Sequence, residues 1–347
     1  MNKEQLNNTA KRLVVKGKGI LAADESVGTA DKRFGALNIP SNEETRRSYR
    51  ELLFTTRGIE EFLSGIILFD ETIRQKTEDG KLFIDLLSEK GILPGIKVDK
   101  GTIDLPNFPG EKITEGLDGL RDRLREYYEM GARFAKWRGV ITINEDAIPT
   151  DACVSANAYV FAQYAAFCQE TGLVPIIEPE VLLDGNYSIE RSEEVTAAVL
   201  KTVFSELKKY NIMLEGILIK SSMVISGKEA PNQADASAVA KATVRALRAS
   251  VPETVPGVVF LSGGQAPLQA TENLNAIALL GSQPWELTFS YSRALQEPVL
   301  NAWKGDAKNK EQAQKIFYQR AKCNAAARNG AYSKEMETEI IYSVLKI

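Results

Sequence analysis

The chain has 347 residues, of which 44% are hydrophobic and 26% charged, and a formal net charge of −3. Such a composition belongs to a globular protein with ample core, long enough for two ordinary domains or one α/β barrel. A mildly acidic balance without a Lys/Arg tract argues against a nucleic-acid surface, and no apolar run nears the roughly 18 residues a membrane span needs. Neither nucleic acid nor membrane is expected as a partner.

The opening stretch "MNKEQLNNTAKRLVVKGKG" has no signal-peptide core; residues 1–17 read as an amphipathic helical segment using Leu6, Ala10, Leu13 and Val14. After it, short β-branched runs bounded by Gly, Pro or charge recur along the chain. In order they are "KGILAAD" (18–24), "SGIILFD" (64–70), "PGIKVD" (94–99), "ARFAKWR" (132–138), "VPIIEPE" (174–180), "EGILIK" (215–220), "GVVFLS" (257–262) and "ELTFSYSR" (286–293). They start about 25 to 45 residues apart, the spacing of βα units. Between them, Leu120, Leu124, Tyr127 and Tyr128 mark one helical face, and Val195, Val199, Val203 and Leu207 another. "SNEETRRSY" and "SIERSEEV" supply Asn and Ser helix starts followed by acidic first turns.

This alternation predicts an α/β fold, a single (β/α)8 barrel over 18–304, with 305–347 as a C-terminal helix and mobile tail of the same domain. A doubly wound sheet is the alternative, but it needs a G-x-G-x-x-G after a strand, which the chain lacks. Cys153, Cys168 and Cys323 are odd in number and widely spaced, which fits free thiols in a reducing cytoplasm.

There is no histidine. That removes Ser–His and Cys–His nucleophile pairs and His-containing zinc sites, although carboxylate-held Mg²⁺ stays formally open. Lysine, carboxylates, hydroxyls and backbone must carry any chemistry.

In a barrel, chemistry gathers at the carboxyl ends of the strands. Those ends carry Asp24, Lys97, Lys136 with Arg138, Glu178 with Glu180, Lys220, Ser262 and Arg293. Lys97/Asp99, Lys136/Arg138 and Glu178/Glu180 are i, i+2 pairs that project to one side of a strand. A lone lysine after an apolar run such as "GILIK" ordinarily snorkels to water. Here Lys220 shares a barrel mouth with other charges. Its free amine is a nucleophile, and both desolvation and a cation such as Lys136 or Lys97 would lower a pKa ordinarily about 10.4. Lys220 is therefore a candidate for Schiff-base formation with a ketone. Glu178 suits the proton transfers of iminium formation, with Glu180 as the second carboxylate and Asp24 orienting substrate hydroxyls. "LSGGQ" (261–265) lets backbone N–H groups approach an anion, and Arg293 on the next strand end completes a phosphate cradle. The competing reading is a ring of internal ion pairs that only stabilises the barrel.

"GKGILAADES", "GIKVDKG", "ARFAKWR", "VPIIEPE", "EGILIK", "VVFLSGGQ" and "LTFSYSRAL" resemble, in this order, the signatures of class I fructose-1,6-bisphosphate aldolase from residue 17 to residue 333. The resemblance implies a (β/α)8 barrel, a homotetramer, no metal or cofactor, and reversible carbon–carbon cleavage of fructose 1,6-bisphosphate to glycerone phosphate and glyceraldehyde 3-phosphate in glycolysis and gluconeogenesis. By motif, Lys220 resembles the Schiff-base nucleophile and Glu178 the acid/base for carbinolamine dehydration and the C4 hydroxyl proton. Asp24 is near enough in the pattern to share that last role. Lys136 and Arg138 are similar to the cationic pair that tunes the lysine and contacts substrate. Ser262, Gly263, Gly264, Ser290 and Arg293 match the C1-phosphate stretch, in which Ser292 is also a candidate contact by position, and Ser26, Thr29, Arg33 and Lys97 resemble the contacts at the C6 end.

The chain departs from the family in three places. Ser221 and Ser222 follow Lys220 where the family has Pro-Asn or Pro-Ser, and Ser292 stands where it has Gly or Ala. The tail ends "YSVLKI" where the family ends in tyrosine, which leaves Tyr342 as the candidate tail proton donor. Two other readings are a different Schiff-base phosphosugar aldolase and a non-catalytic scaffold that keeps the fold.

Overall fold

Each apolar run becomes a strand: β1 (Gly19–Ala22), β2 (Leu63–Leu68), β3 (Leu93–Lys97), β6 (Phe134–Ile141), β7 (Val174–Val181), β8 (Leu218–Ser221), β9 (Gly257–Phe260) and β10 (Glu286–Tyr291). An additional hairpin, β4 (Thr102–Asp104) with β5 (Lys112–Thr114), is inserted after β3. In the computed structural model, which describes residues 2–145 and 147–337, the eight long-range strands are parallel and close a barrel. Their order is β1-β10-β9-β8-β7-β6-β3-β2.

Side chains alternate along a strand, so residues two apart share a face. Ile20, Ala22, Ile67, Leu93, Phe134, Val174, Ile176, Leu218 and Val259 form one buried cluster inside the barrel. Two positions beyond four of these stand Asp24, Lys136, Glu178 and Lys220, all buried. One end of the barrel interior is therefore hydrocarbon and the other is charged. The helix Lys3–Leu13, capped by Asn2 on Gln5 N at 3.1 Å, adds Leu6, Ala10 and Leu13 to the apolar cluster and plugs that end. The interior is tight enough that a Cβ on Gly95 would lie 2.3 Å from the Phe134 ring.

Helices surround the barrel. Val195, Val199, Val203 and Leu207 are buried within Ile189–Lys209, which starts at a Ser188 cap on Arg191 N. In Leu120–Met130 the predicted face is buried at Leu120, Leu124 and Tyr127, whereas its fourth member, Tyr128, stays half-buried with the Arg133 guanidinium 5.0 Å from its ring centroid. Beyond the barrel, Lys310–Arg328 packs back onto it through the buried Arg320, which donates to Pro267 O at 3.0 Å and Thr271 Oγ1 at 2.6 Å. The three cysteines are free and buried. Among the described residues no helix is long and apolar enough to cross a membrane.

Candidate active site

The strands β6, β7 and β8 are neighbours, and their register sets Arg138 opposite Glu178 and Ile177 opposite Ile219. Glu178 and Lys220, the next residues along β7 and β8, consequently face one another. Lys220 Nζ lies 2.9 Å from Glu178 Oε1. Glu178 Oε2 lies 3.2 Å from Lys136 Nζ yet accepts no hydrogen bond from a described residue. Lys136 Nζ is in turn 2.8 Å from Asp24 Oδ2 and 3.9 Å from Asp99 Oδ2. None of the side chains of Lys220, Glu178, Lys136 or Asp24 is more than 10% exposed. Charge alternates along this chain of groups, from ammonium to carboxylate to ammonium to carboxylate.

For Asp24, Glu178 and Lys136 burial by itself favours the neutral form, and the neighbours reverse that preference. Desolvation pushes the Asp24 carboxyl up, but the Lys136 and Lys220 ammoniums hold it below the usual carboxylate range. Glu178 is likewise raised by burial and lowered on balance by Lys136, Lys220 and Arg138. Lys136 is lowered by burial and raised on balance by Asp24, Glu178 and Asp99, so it stays an ammonium.

The nearest charge on Lys220 is thus a carboxylate, where the sequence reading set a cation. Lys136 projects into the same interior but its charge is shared among Asp24, Asp99 and Glu178. Lys97 turns back on its own loop, bonding Asp99 O at 2.7 Å and pairing with Asp99 Oδ1 at 2.6 Å. Glu180 pairs with Arg138 and not with Lys220.

The glycine turn after β9 has the expected backbone, with φ of 55° at Gly263 and 99° at Gly264, both in the left-handed region glycine allows. Neither N–H group donates to a described residue. The Ser290 hydroxyl is buried without a partner among the described residues, and Ser262 is buried too. A Cβ on Gly264 would meet Arg293 Nη2 at 3.1 Å, so the arginine lies over this turn. These groups form a cradle of unspent donors.

Two residues assigned to phosphate contacts are engaged elsewhere. The Ser292 hydroxyl donates to Glu25 Oε1 at 2.5 Å and accepts from Arg33 Nη1 at 3.0 Å and Gln296 Nε2 at 3.2 Å. Arg33 also pairs with Glu25. Ser26, Thr29, Lys97 and Arg138 do line one cavity of about 630 Å³, while Arg33 and Arg293 line a different one of about 200 Å³. Sequence reasoning missed Glu25, which also takes Arg50 Nη2 at 2.5 Å. The available signal was strand parity, because Glu25 follows Asp24 and must face the helical layer when Asp24 faces inward. Asp99 was legible as the i+2 partner of Lys97. Tyr342 lies outside the described residues.

A family model for class-I fructose-bisphosphate aldolase matches residues 5–344. A probable class 1 fructose-bisphosphate aldolase of Xanthomonas campestris is 54% identical over 333 residues, covering 96% of this chain and 99% of that protein. The fructose-bisphosphate aldolase of Dictyostelium discoideum is 51% identical over 337 residues, covering 96% of this chain and 94% of its own. A solved structure of Plasmodium falciparum fructose-bisphosphate aldolase, in complex with TRAP and a small molecule inhibitor, superposes with a TM-score of 0.94 at 50% identity, covering 95% of each chain. The closed eight-stranded barrel agrees with those matches, and the chain belongs to the class I fructose-bisphosphate aldolase family.

Proposed function

We propose that Lys220 is the nucleophile through which this aldolase reversibly cleaves fructose 1,6-bisphosphate to glycerone phosphate and glyceraldehyde 3-phosphate, a reaction of glycolysis and gluconeogenesis. The observation that carries the assignment is the 2.9 Å approach of Lys220 Nζ to Glu178 Oε1, both side chains being buried. Glu178 is in reach to take a proton as Lys220 becomes an amine, and its Oε2 accepts no hydrogen bond from a described residue. The amine adds to the ketone carbon, and the carbinolamine hydroxyl leaves as water on receiving a proton from Glu178. The iminium then draws the electrons of the adjacent carbon–carbon bond as a base removes the C4 hydroxyl proton. Glu178 and Asp24 are the bases in range of one another through Lys136. Lys136 keeps both carboxylates ionised and keeps positive charge beside them.

The cradle of Ser262, Gly263, Gly264, Ser290 and Arg293 is proposed for one phosphate, and the cavity lined by Ser26, Thr29, Lys97 and Arg138 for the other end of the sugar. The proton that releases the enamine would come from Tyr342. Assembly as a cytosolic homotetramer belongs to the same proposal, supported by family resemblance and by the aldolase of Arabidopsis thaliana described as cytosolic, at 53% identity over 322 residues. The single catalytic domain comprises the barrel with its flanking segments.

Borohydride added with glycerone phosphate should inactivate the enzyme and add one substrate-derived mass to the peptide containing Lys220, while EDTA should have no effect. Labelling of another lysine, or strong EDTA inhibition, would sink the assignment.

A further inference from the structure

No motif singles out Lys228, yet its ammonium reaches the phosphate cradle. It lies in the segment that leaves β8, and its backbone is anchored to the loop that leaves β7. Gly227 N donates to Tyr187 O at 3.0 Å, Lys228 N to Leu183 O at 2.8 Å and Glu229 N to Gly185 O at 3.1 Å. The two segments lie so close that a Cβ on Gly227 would fall 2.2 Å from Gly185 O. From this fixed base the Lys228 side chain crosses to the glycine turn after β9. A Cβ on Gly264 would meet Lys228 Nζ at 2.9 Å and Arg293 Nη2 at 3.1 Å. Two cations, one from the loop after β8 and one from the first turn of the helix Arg293–Trp303, therefore converge on one turn whose N–H groups donate to no described residue, with the buried Ser290 hydroxyl, unpartnered among the described residues, near the end of the adjacent strand.

The charge requirement points the same way. A phosphate monoester carries about −1.5 to −2 at neutral pH, and Arg293 alone supplies a single positive charge. Lys228 Nζ rests 2.9 Å from Asp184 Oδ1, with the two side chains 45% and 69% exposed. An ion pair so open to water is weak, so the flexible ammonium can exchange Asp184 for a phosphate at small cost.

We propose that Lys228 is a phosphate-binding residue of this aldolase, a second cation delivered to the Gly263–Gly264 cradle from the loop after β8 and held by Asp184 until a phosphate monoester enters. This rests on the cradle assignment made above. The bland alternative is that Lys228 and Asp184 only tie two loops together, and the two variants separate these ideas. In the proposed role Lys228→Ala raises KM for fructose 1,6-bisphosphate about fivefold with kcat little changed, and Lys228→Arg recovers most of it. Asp184→Asn frees the ammonium and lowers KM or leaves it unchanged.

The dissociation constant of inorganic phosphate, measured by calorimetry and therefore independent of turnover, should follow the same order across the variants. Unchanged phosphate affinity in Lys228→Ala, or an equal loss in Lys228→Ala and Asp184→Asn, overturns the role. Borohydride trapping at Lys220 in the wild type reports on the proposed function separately, so failure there and failure here are distinguishable.

Discussion

Lys136 Nζ and Asp24 Oδ2 meet at 2.8 Å across the barrel interior, although β6, which carries Lys136, and β1, which Asp24 follows, are not neighbours. Both side chains are buried, and Glu178 closes on the same ammonium from β7. Burial leaves little solvent beside either carboxylate to replace that cation. The site is consequently held by a charge balance and not by any one pair, and removing one member should be felt by all.

Lys136→Met should destabilise the fold by about 3–5 kcal/mol at pH 7, since it leaves buried carboxylates without their cation. Asp24 and Glu178 titrate below the usual range, so their contribution is present at neutral pH and is lost as pH falls through their folded values. Lys136 titrates above its usual range, so its contribution is present at neutral pH and lost only in strong base. The deficit of Lys136→Met should therefore shrink as pH drops below about 4, where the unfolded carboxyls also protonate. Urea unfolding at pH 7 and pH 3.5 checks this; a deficit independent of pH would contradict it.

Glu178→Gln keeps the shape of the side chain and removes its capacity to take a proton from Lys220. A fall in kcat of roughly 10²- to 10⁴-fold is expected, the range of a positioned acid–base group, with a smaller change in KM. Borohydride trapping should slow in parallel because iminium formation needs the same proton transfers. Trapping at the wild-type rate would assign those transfers to Asp24 or to water.

The Arg293 guanidinium, which no described side chain pairs with, lies over the Gly264 turn. Arg293→Ala should weaken binding of the bisphosphate by about 2 kcal/mol, roughly thirtyfold in KM, while unfolding stability stays within about 0.5 kcal/mol of wild type. If KM and inhibition by phosphate esters both hold steady, the phosphate sits elsewhere.

Ser292→Gly tests the opposite expectation. Its hydroxyl is spent on Glu25, Arg33 and Gln296, and Glu25 keeps Arg50 when that hydroxyl is gone. We expect a loss of about 1 kcal/mol in stability and KM within about twofold of wild type. A large rise in KM with unchanged stability would return Ser292 to the phosphate site.

Much of this molecule was legible in the sequence because the relevant signals are local. Alternation at period two runs through Phe134 and Lys136, Ile176 and Glu178, Leu218 and Lys220, so the inward direction of each charge could be read without any contact being known. The order of strands and helices followed from the same patterning, and the glycine pair after β9 marked its turn. Which charge meets which was not legible. Lys220 faces Glu178 because β7 and β8 pair in one register, and Lys97 turns to Asp99 because its loop folds back. Arg33 bonds Ser292, 259 positions away in the chain, and is absent from the cavity lined by Ser26, Thr29 and Lys97, and Lys228 reaches Gly264 only once two loops are laid side by side. A side chain's direction is set by its own backbone and two neighbours, whereas Coulomb energy falls with distance in space. Those distances exist only after the barrel closes.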